Sequence, residues 1–306
     1  MIMKKSSVVT IGNFDGVHLG HQKILALTID QAGQSDARSV AFTFRPHPQS
    51  VLRPDRAPAL LLSYDEKREL LLSFGMDEVI EQSFSQQFAG TTPEIFFEQV
   101  LLGALSARAL VVGYDFTFGR ERTGHLQVLE RLCAGAGIEL TVVPPHRVDS
   151  EVVSSSVIRQ ALASGRVDEA ALGLGRPFFY RGPVLRGDQR GRELGFPTAN
   201  LLLDSSPAGK LVLPYGVYAT RLVHEQQAYA AVTNVGVRPT FQSSLSAELS
   251  VLVETHVLDQ SLDLYGKMVR VEFVRKIRDE QKFQSGQELQ VAIKSDISRA
   301  RQILGC

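Results

Sequence analysis

Two imidazoles three residues apart, His18 and His21, sit in the run Gly12-Asn13-Phe14-Asp15-Gly16-Val17-His18-Leu19-Gly20-His21-Gln22. The apolar run Ser7-Val8-Val9-Thr10-Ile11 precedes it, and a segment of helix-forming composition follows. Strand, glycine-bearing turn and helix in that order place main-chain N–H groups and the positive end of a helix dipole where an anionic phosphate is favoured. Glycines at 12, 16 and 20 let a triphosphate come close to the main chain. His18 and His21 can donate hydrogen bonds to oxygens that gain charge during phosphoryl or nucleotidyl transfer. Nucleotide chemistry is the sharp reading, and a turn with two incidental histidines is the plain one.

Three other segments carry groups of the same kind. Val153-Ser154-Ser155-Ser156-Val157-Ile158-Arg159 puts hydroxyls at a helix start with an arginine one turn inside, an arrangement able to grip polyphosphate. Serines also cap helices for purely structural reasons, so both roles stay open. Gly113-Tyr114-Asp115-Phe116-Thr117-Phe118-Gly119-Arg120 follows an apolar strand, where Asp115 could hold ribose hydroxyls and Arg120 a phosphate. Phe44-Arg45-Pro46-His47-Pro48 is a rigid turn that leaves His47 facing either solvent or ligand.

The elements that must position these groups alternate along the first half. Val40 to Phe44, Glu78 to Ile80, Ala109 to Val112 and Ile138 to Val143 read as strands, rich in branched or aromatic residues. Helical patterns lie between them at Ile24 to Ala32, Asp65 to Phe74, Pro93 to Leu105 and Leu126 to Cys133. Ser63 followed by Glu66 reads as a capping box, and Thr92-Pro93 as a helix start. Alternation of this kind implies a parallel sheet with helices on both faces, with ligands collecting at the carboxyl ends of the strands.

After about residue 165 the pattern changes. Gly165, Gly173, Gly175, Pro177, Gly182, Pro183, Gly187, Gly191 and Gly195 crowd one stretch, which predicts turns rather than helix. Alternating runs at Gly216 to Leu222, Ala228 to Val232, Leu249 to Val257 and Met268 to Phe273 are spaced as in a small antiparallel barrel, and Glu288 to Leu304 reads as a final amphipathic helix. The expected fold class is therefore α/β followed by all-β, with domains at 1–172 and 173–306.

Composition bounds the function. With 306 residues, 44% hydrophobic and 22% charged, the chain can build two cores. A formal net charge of zero argues against a general nucleic-acid surface. Two cysteines, Cys133 and Cys306, are too few for a disulfide framework, which fits a reducing cytoplasm. The apolar stretch after Lys4 and Lys5 is too short for a signal-peptide core, and no segment approaches membrane-spanning length, so a soluble protein without a membrane partner is expected. No G-x-x-x-x-G-K-[ST] string is present, so a P-loop is excluded.

Gly12 to Gln22, Phe42 to Pro48, Gly113 to Gly119 and Val153 to Arg159 together resemble the adenylyltransferase half of the bacterial bifunctional riboflavin kinase/FAD synthetases. Gly191-Arg192-Glu193-Leu194-Gly195-Phe196-Pro197-Thr198-Ala199-Asn200, Asn234 to Phe241, Val253-Glu254-Thr255-His256 and Leu264-Tyr265-Gly266 resemble that family's kinase module. The resemblance spans essentially the whole chain. It implies an N-terminal Rossmann-like nucleotidyltransferase domain and a C-terminal riboflavin kinase-like barrel. The implied reactions are phosphorylation of riboflavin by ATP to FMN and transfer of an adenylyl group from a second ATP to FMN, giving FAD and pyrophosphate.

By the same resemblance, Gly12, Phe14, Asp15, His18, His21, Asp115, Ser155, Ser156 and Arg159 would hold ATP in the first half, with His47 and Arg120 toward the flavin nucleotide. In the second half Gly187, Arg192, Gly195, Pro197, Thr198 and Asn200 would hold ATP, and Thr198 and Asn200 would bind Mg²⁺. Glu254 would accept the ribityl proton, and Arg278, Glu280 and Phe283 would close over flavin. Read without the family, Thr198 and Asn200 form a turn, Glu254 is an outward strand residue, and the Arg278–Phe283 stretch is a solvated charged face. The implied partners are small molecules only, with the chain a monomer or weak homo-oligomer.

Some positions depart from the family pattern: Arg186 stands for a histidine, Val237 and Ser156 each for a threonine, and Leu172-Gly173-Leu174-Gly175-Arg176-Pro177 carries an extra glycine that predicts a loose linker. Two other functions remain at this level. One is a nucleotidyltransferase for another small phosphorylated substrate with the barrel as a binding module; the other is a non-catalytic flavin sensor. Convergence of Thr198, Asn200 and Glu254 in space discriminates the first.

Overall fold

The computed structural model describes residues 5–186, 195–203, 209–237, 251–260 and 262–306. It divides into two compact units, Met1–Ser155 and Ser156–Cys306. In the first, β1 (Ser7–Ile11), β2 (Arg38–Arg45), β3 (Glu78–Ser83), β4 (Ala107–Gly113) and β5 (Glu139–Val143) form one parallel sheet in the order β3-β2-β1-β4-β5. Val8, Val9, Val40, Leu110, Val111 and Val112 are wholly buried, which is why these strands read as apolar runs rather than alternating ones. Strand order reverses at β1, so a crevice opens at its carboxyl end, between β1 and β4.

Helices α1 (Leu19–Gln34), α2 (Pro48–Leu52), α3 (Tyr64–Ser73), α4 (Gln86–Ala89), α5 (Pro93–Ile95) and α6 (Leu126–Ala136) connect the strands. The capping box is formed: Glu66 N–H donates to Ser63 Oγ at 3.2 Å while Ser63 N–H donates to the Glu66 carboxylate at 2.8 Å. Thr92 caps α5, and the helix runs on as a π-turn segment over Phe96–Ala104, where Phe96, Phe97 and Leu101 enter the core. A short hairpin, β6 (Arg147–Val148) with β7 (Glu151–Val152), precedes α7 (Ser155–Ala163).

In the second unit the glycine-crowded stretch is not all turn. Val167–Leu174 is a helix, α8, and Phe178–Pro183 a strand, β8. The expectation of turns, and of a loose linker at 172–177, is corrected here. Val167, Ala170, Gly173 and Leu174 recur on one face and are buried, so packing outweighs the low propensity of one glycine. Gly175, left-handed at φ 70°, then ends the helix as a C-cap.

Six antiparallel strands make the barrel: β8, β9 (Ala199–Leu203), β10 (Gly216–His224), β11 (Gln227–Val237), β12 (Val251–Val257) and β13 (Met268–Asp279), in the order β8-β13-β10-β11-β12-β9. The Leu185 N–H donates to Asn200 O at 2.8 Å, drawing the chain after β8 against β9 and nearly closing the sheet. Along β12 buried and half-buried residues alternate, with Val251, Val253, Thr255 and Val257 inside. Thr220, Thr233 and Thr255 carry their hydroxyls into the interior and satisfy one another at 2.8 and 2.9 Å. The last helix, α9 (Gly286–Leu304), packs against β10 and β11.

Tyr180, wholly buried, donates its hydroxyl to Leu211 O at 3.0 Å and accepts from Leu213 N–H at 2.8 Å. Replacing it by phenylalanine leaves a buried carbonyl and N–H without a partner, so Tyr180→Phe is expected to destabilise the barrel by about 1–3 kcal/mol, read as a lower urea midpoint.

Candidate functional site

The turn after β1 is built in an unusual backbone conformation. Phe14, Gly16 and Val17 all have positive φ, at 49°, 80° and 41°. A branched valine there is strained, so its surroundings must impose it. Phe14 and Val17 are buried, the Val17 N–H donates to Phe14 O at 3.1 Å, and Gln22 Nε2 donates to Val17 O at 2.9 Å. The Asp15 carboxylate accepts from Leu61 N–H at 2.9 Å, which makes it a strut of the turn, and Gly12 N–H donates to Phe42 O at 3.1 Å.

His18 caps α1, its Nδ1 accepting from the His21 N–H at 3.4 Å. The two imidazoles stack with centroids 3.6 Å apart and planes 20° from parallel. An ideal Cβ on Gly20 would stand 3.2 Å from the His18 ring, so the glycine between the histidines makes room for the stack. Phe14 meets His21 edge-on at 5.3 Å. His21 Nδ1 is shut from solvent and has no hydrogen-bond partner among the described residues. Burial first, then the neighbouring His18 and Lys67, hold the His21 imidazole well below its ordinary pKa, so it is neutral at physiological pH.

Ser155 Oγ donates to Asp15 O at 2.9 Å, tying the start of α7 to this turn. Ser156 and Arg159 follow in the first turns of the same helix, Ser156 exposed and Arg159 half-buried. Asp115 lies just past β4, exposed, with Oδ1 turned back toward Gly113. His47 caps α2 by accepting from Gln49 N–H at 3.2 Å, and its own N–H donates to Tyr64 at 2.8 Å. Arg120 is exposed in a short 3₁₀ turn after β4.

On the barrel, Thr198 Oγ1 donates to Asn200 Oδ1 at 3.3 Å, and cross-strand register sets Asn200 beside Glu254 and Glu254 beside Asn234. Asn200 is buried and Glu254 half-buried, and their pairing across β9 and β12 puts both side chains on the same face of the sheet. Gly195 is left-handed at φ 86°, and Pro197 is exposed. Gly187 and Arg192 lie outside the described residues. Glu280 Oε1 is 3.0 Å from where a Cβ on Gly236 would be, so the bare backbone there admits this carboxylate toward Asn234. Arg278 is engaged by Asp296 of α9, Nε and Nη2 donating at 3.0 and 2.8 Å, and its guanidinium stands 5.6 Å from the Phe283 ring centre.

Some contributors had no motif of their own. His256 Nδ1 lies 2.8 Å from Pro197 O and its ring meets Phe196 edge-on, so β12 pins the turn that carries Thr198. Phe44, Phe84, Phe88, Phe96, Phe118 and Phe116 touch in succession at 5.4 to 6.2 Å, an apolar wall near the carboxyl ends of β2 and β4. Their spacing in sequence follows no single helical or strand period, though 16 phenylalanines and no tryptophan were a hint. Lys67, buried beneath the histidine turn, read only as part of a helix.

A stacked histidine pair at the switch point of a parallel sheet and a row of polar side chains on a separate antiparallel barrel fit a nucleotide-dependent transferase. A family model described as FAD synthetase matches residues 2–157, and one described as riboflavin kinase matches residues 174–304. Bifunctional riboflavin kinase/FMN adenylyltransferases of Buchnera aphidicola and Bacillus subtilis are each 35% identical over 96% of this chain, covering 92% and 91% of their own length. A solved structure described as a macrolide-efflux protein from Streptococcus pneumoniae aligns with a TM-score of 0.84 at 32% identity, over 97% of this chain and 95% of that one. No helix among the described residues is long and apolar enough to cross a membrane.

The chain belongs to the bifunctional riboflavin kinase/FMN adenylyltransferase family. It phosphorylates riboflavin to FMN and adenylylates FMN to FAD, both with ATP.

Two expectations follow from these geometries. The unfolded chain takes a proton on this imidazole near pH 6.5 and the folded chain resists it, so the stability due to neutral His21 is complete above that pH and falls as pH drops below it. Guanidinium unfolding at pH 7 and 5.5 should therefore show a smaller acid loss in His21→Gln than in the parent chain. For the barrel, His256→Ala should raise the KM for ATP in riboflavin phosphorylation while FMN adenylylation, measured on the same sample, stays unchanged.

Proposed function

We propose that the two reactions are carried by the two residue sets separately, with an adenylyltransferase domain over 1–172 and a kinase domain over 173–306. The observation that carries this reading is the pair of convergences: His18 on His21, and Thr198 and Asn200 beside Glu254.

In adenylyl transfer an FMN phosphate oxygen attacks the α-phosphorus of ATP, the bond to the β-phosphate oxygen breaks, and pyrophosphate leaves. FMN brings its own nucleophile, so no protein nucleophile is required. His18 and His21 donate hydrogen bonds to the α-phosphate as charge builds there, and their fixed stack removes the need to reorganise at that moment. A neutral His21 suits this task, because it donates without the desolvation cost of a buried imidazolium. Ser155, Ser156 and Arg159 hold the β- and γ-phosphates at the helix start, and Asp115 orients the nucleoside. Gly12, Phe14 and Asp15 shape the cradle, while His47, Arg120 and the phenylalanine wall receive the flavin nucleotide.

In the kinase reaction the ribityl hydroxyl attacks the γ-phosphorus, its proton passes to the Glu254 carboxylate, and ADP leaves. Thr198 and Asn200 offer hard neutral oxygens within hydrogen-bond distance of each other, a donor set that fits Mg²⁺ held partly by substrate phosphates. Bound there, the ion supplies charge neutralisation for phosphoryl transfer. Gly187, Arg192, Gly195 and Pro197 belong to the ATP loop, and Arg278, Glu280 and Phe283 to the flavin side. The absence of a basic surplus supports small-molecule partners without nucleic acid or membrane, and the cysteine count supports a cytoplasmic protein; a monomer or weak homo-oligomer completes the reading.

His21→Ala should abolish FAD formation while riboflavin phosphorylation survives, and Glu254→Ala should do the reverse. Chromatographic separation of riboflavin, FMN and FAD after incubation with ATP and Mg²⁺ reads both; loss of both steps in either variant would refute independent sites.

A further inference from the structure

Lys67, on α3, is 5% exposed, and its ammonium is buried among neutral oxygens. Nζ donates to Thr43 Oγ1 at 2.9 Å, Asn13 O at 3.2 Å and Phe44 O at 3.3 Å. Asn13 opens the histidine turn after β1, and Thr43 and Phe44 end β2, so one charged group ties together the carboxyl ends of two neighbouring strands. Thr43 Oγ1 also donates to Asn13 O at 3.3 Å, and the Tyr64 ring centre lies 5.4 Å from Nζ. Among the described residues no carboxylate lies within ion-pair distance of this ammonium.

A buried charge without an ion-pair partner is costly, and a hydrophobic side chain of similar volume would fill the same space at less cost. The groups that face it explain only part of its retention. Glu81 on β3 and Asp15 in the turn favour the charge from farther off, Arg45 at the end of β2 opposes it, and His21 on α1 is kept neutral partly by it. What the charge does have is a direct hold on the turn that positions His18 and His21.

We propose that Lys67 is a positioning residue for adenylyl transfer: its ammonium clamps the turn over Asn13–Val17 to the end of β2 and so fixes the start of α1 on which His18 and His21 stand. This rests on the assignment of adenylyl transfer to the histidine pair. Burial, the largest influence, brings the Lys67 pKa down to about 8, so the clamp loses its charge in a range accessible to assay. The unfolded lysine keeps its proton to about pH 10.5, so between pH 8 and 10.5 rising pH shifts this group's contribution toward the folded state. Loss of activity above pH 8 is thus separable from loss of fold.

The test uses the full chain, with riboflavin phosphorylation as the control in the same tube. FMN adenylylation by the parent protein should decline above pH 8 while circular dichroism and riboflavin phosphorylation hold. Lys67→Met should lower kcat for FAD formation by roughly 100-fold, the scale of a small misplacement of catalytic groups, and its residual activity should lack the alkaline decline. A parent profile flat from pH 7.5 to 9.5, or undiminished FAD formation by a folded Lys67→Met, overturns the proposal. Full FAD synthesis in His21→Ala would instead bring down the histidine assignment on which it rests.

Discussion

A triphosphate must be held by a chain with no surplus of positive charge, and the first unit meets this with geometry. Its turn after β1 takes three positive φ values within four residues, one of them at a valine, which no isolated peptide would choose. The conformation persists because other elements fasten it at successive points: Lys67 at Asn13, Leu61 N–H at the Asp15 carboxylate, Ser155 at the Asp15 carbonyl, Gln22 at Val17. Held in this way, the turn ends at the start of α1 with two stacked imidazoles, His18 as its cap and His21 one turn in. The placing of both rings depends on that fastening.

The barrel solves a related problem by register. Residues distant in sequence become neighbours because antiparallel pairing sets Asn200, Glu254 and Asn234 abreast on adjoining strands. A slip of one residue would turn Glu254 into the interior and Val253 outward, replacing the carboxylate by a valine. The buried threonines at 220, 233 and 255 resist such a slip, since their hydroxyls satisfy one another only in this alignment. His256, next on the same face as Glu254, then pins Pro197 and so brings Thr198 to the row.

A single chain carrying both sites has a chemical logic, since the product of one reaction is the substrate of the other. The two residue sets are built by different means: one is a stacked imidazole pair on a fastened turn, the other a carboxylate set beside an amide by strand register.

What could be read from local sequence is what local chemistry decides. Apolar runs announced the five parallel strands, the Ser63 and Thr92 caps marked helix starts, and the histidine and G-F-P-T-A-N motifs pointed to the two family domains, because each depends on neighbours a few residues away. The helix over Val167–Leu174 was hidden, since its glycine content argues for turns and only burial of one face against the barrel outweighs it. Asp15 as a strut for Leu61, His256 as an anchor for Pro197 and Lys67 as a clamp across two strands were equally hidden. Their partners lie far away along the chain, and a hydrogen bond between distant residues has no signature until tertiary packing has brought donor and acceptor within 3 Å or so of each other.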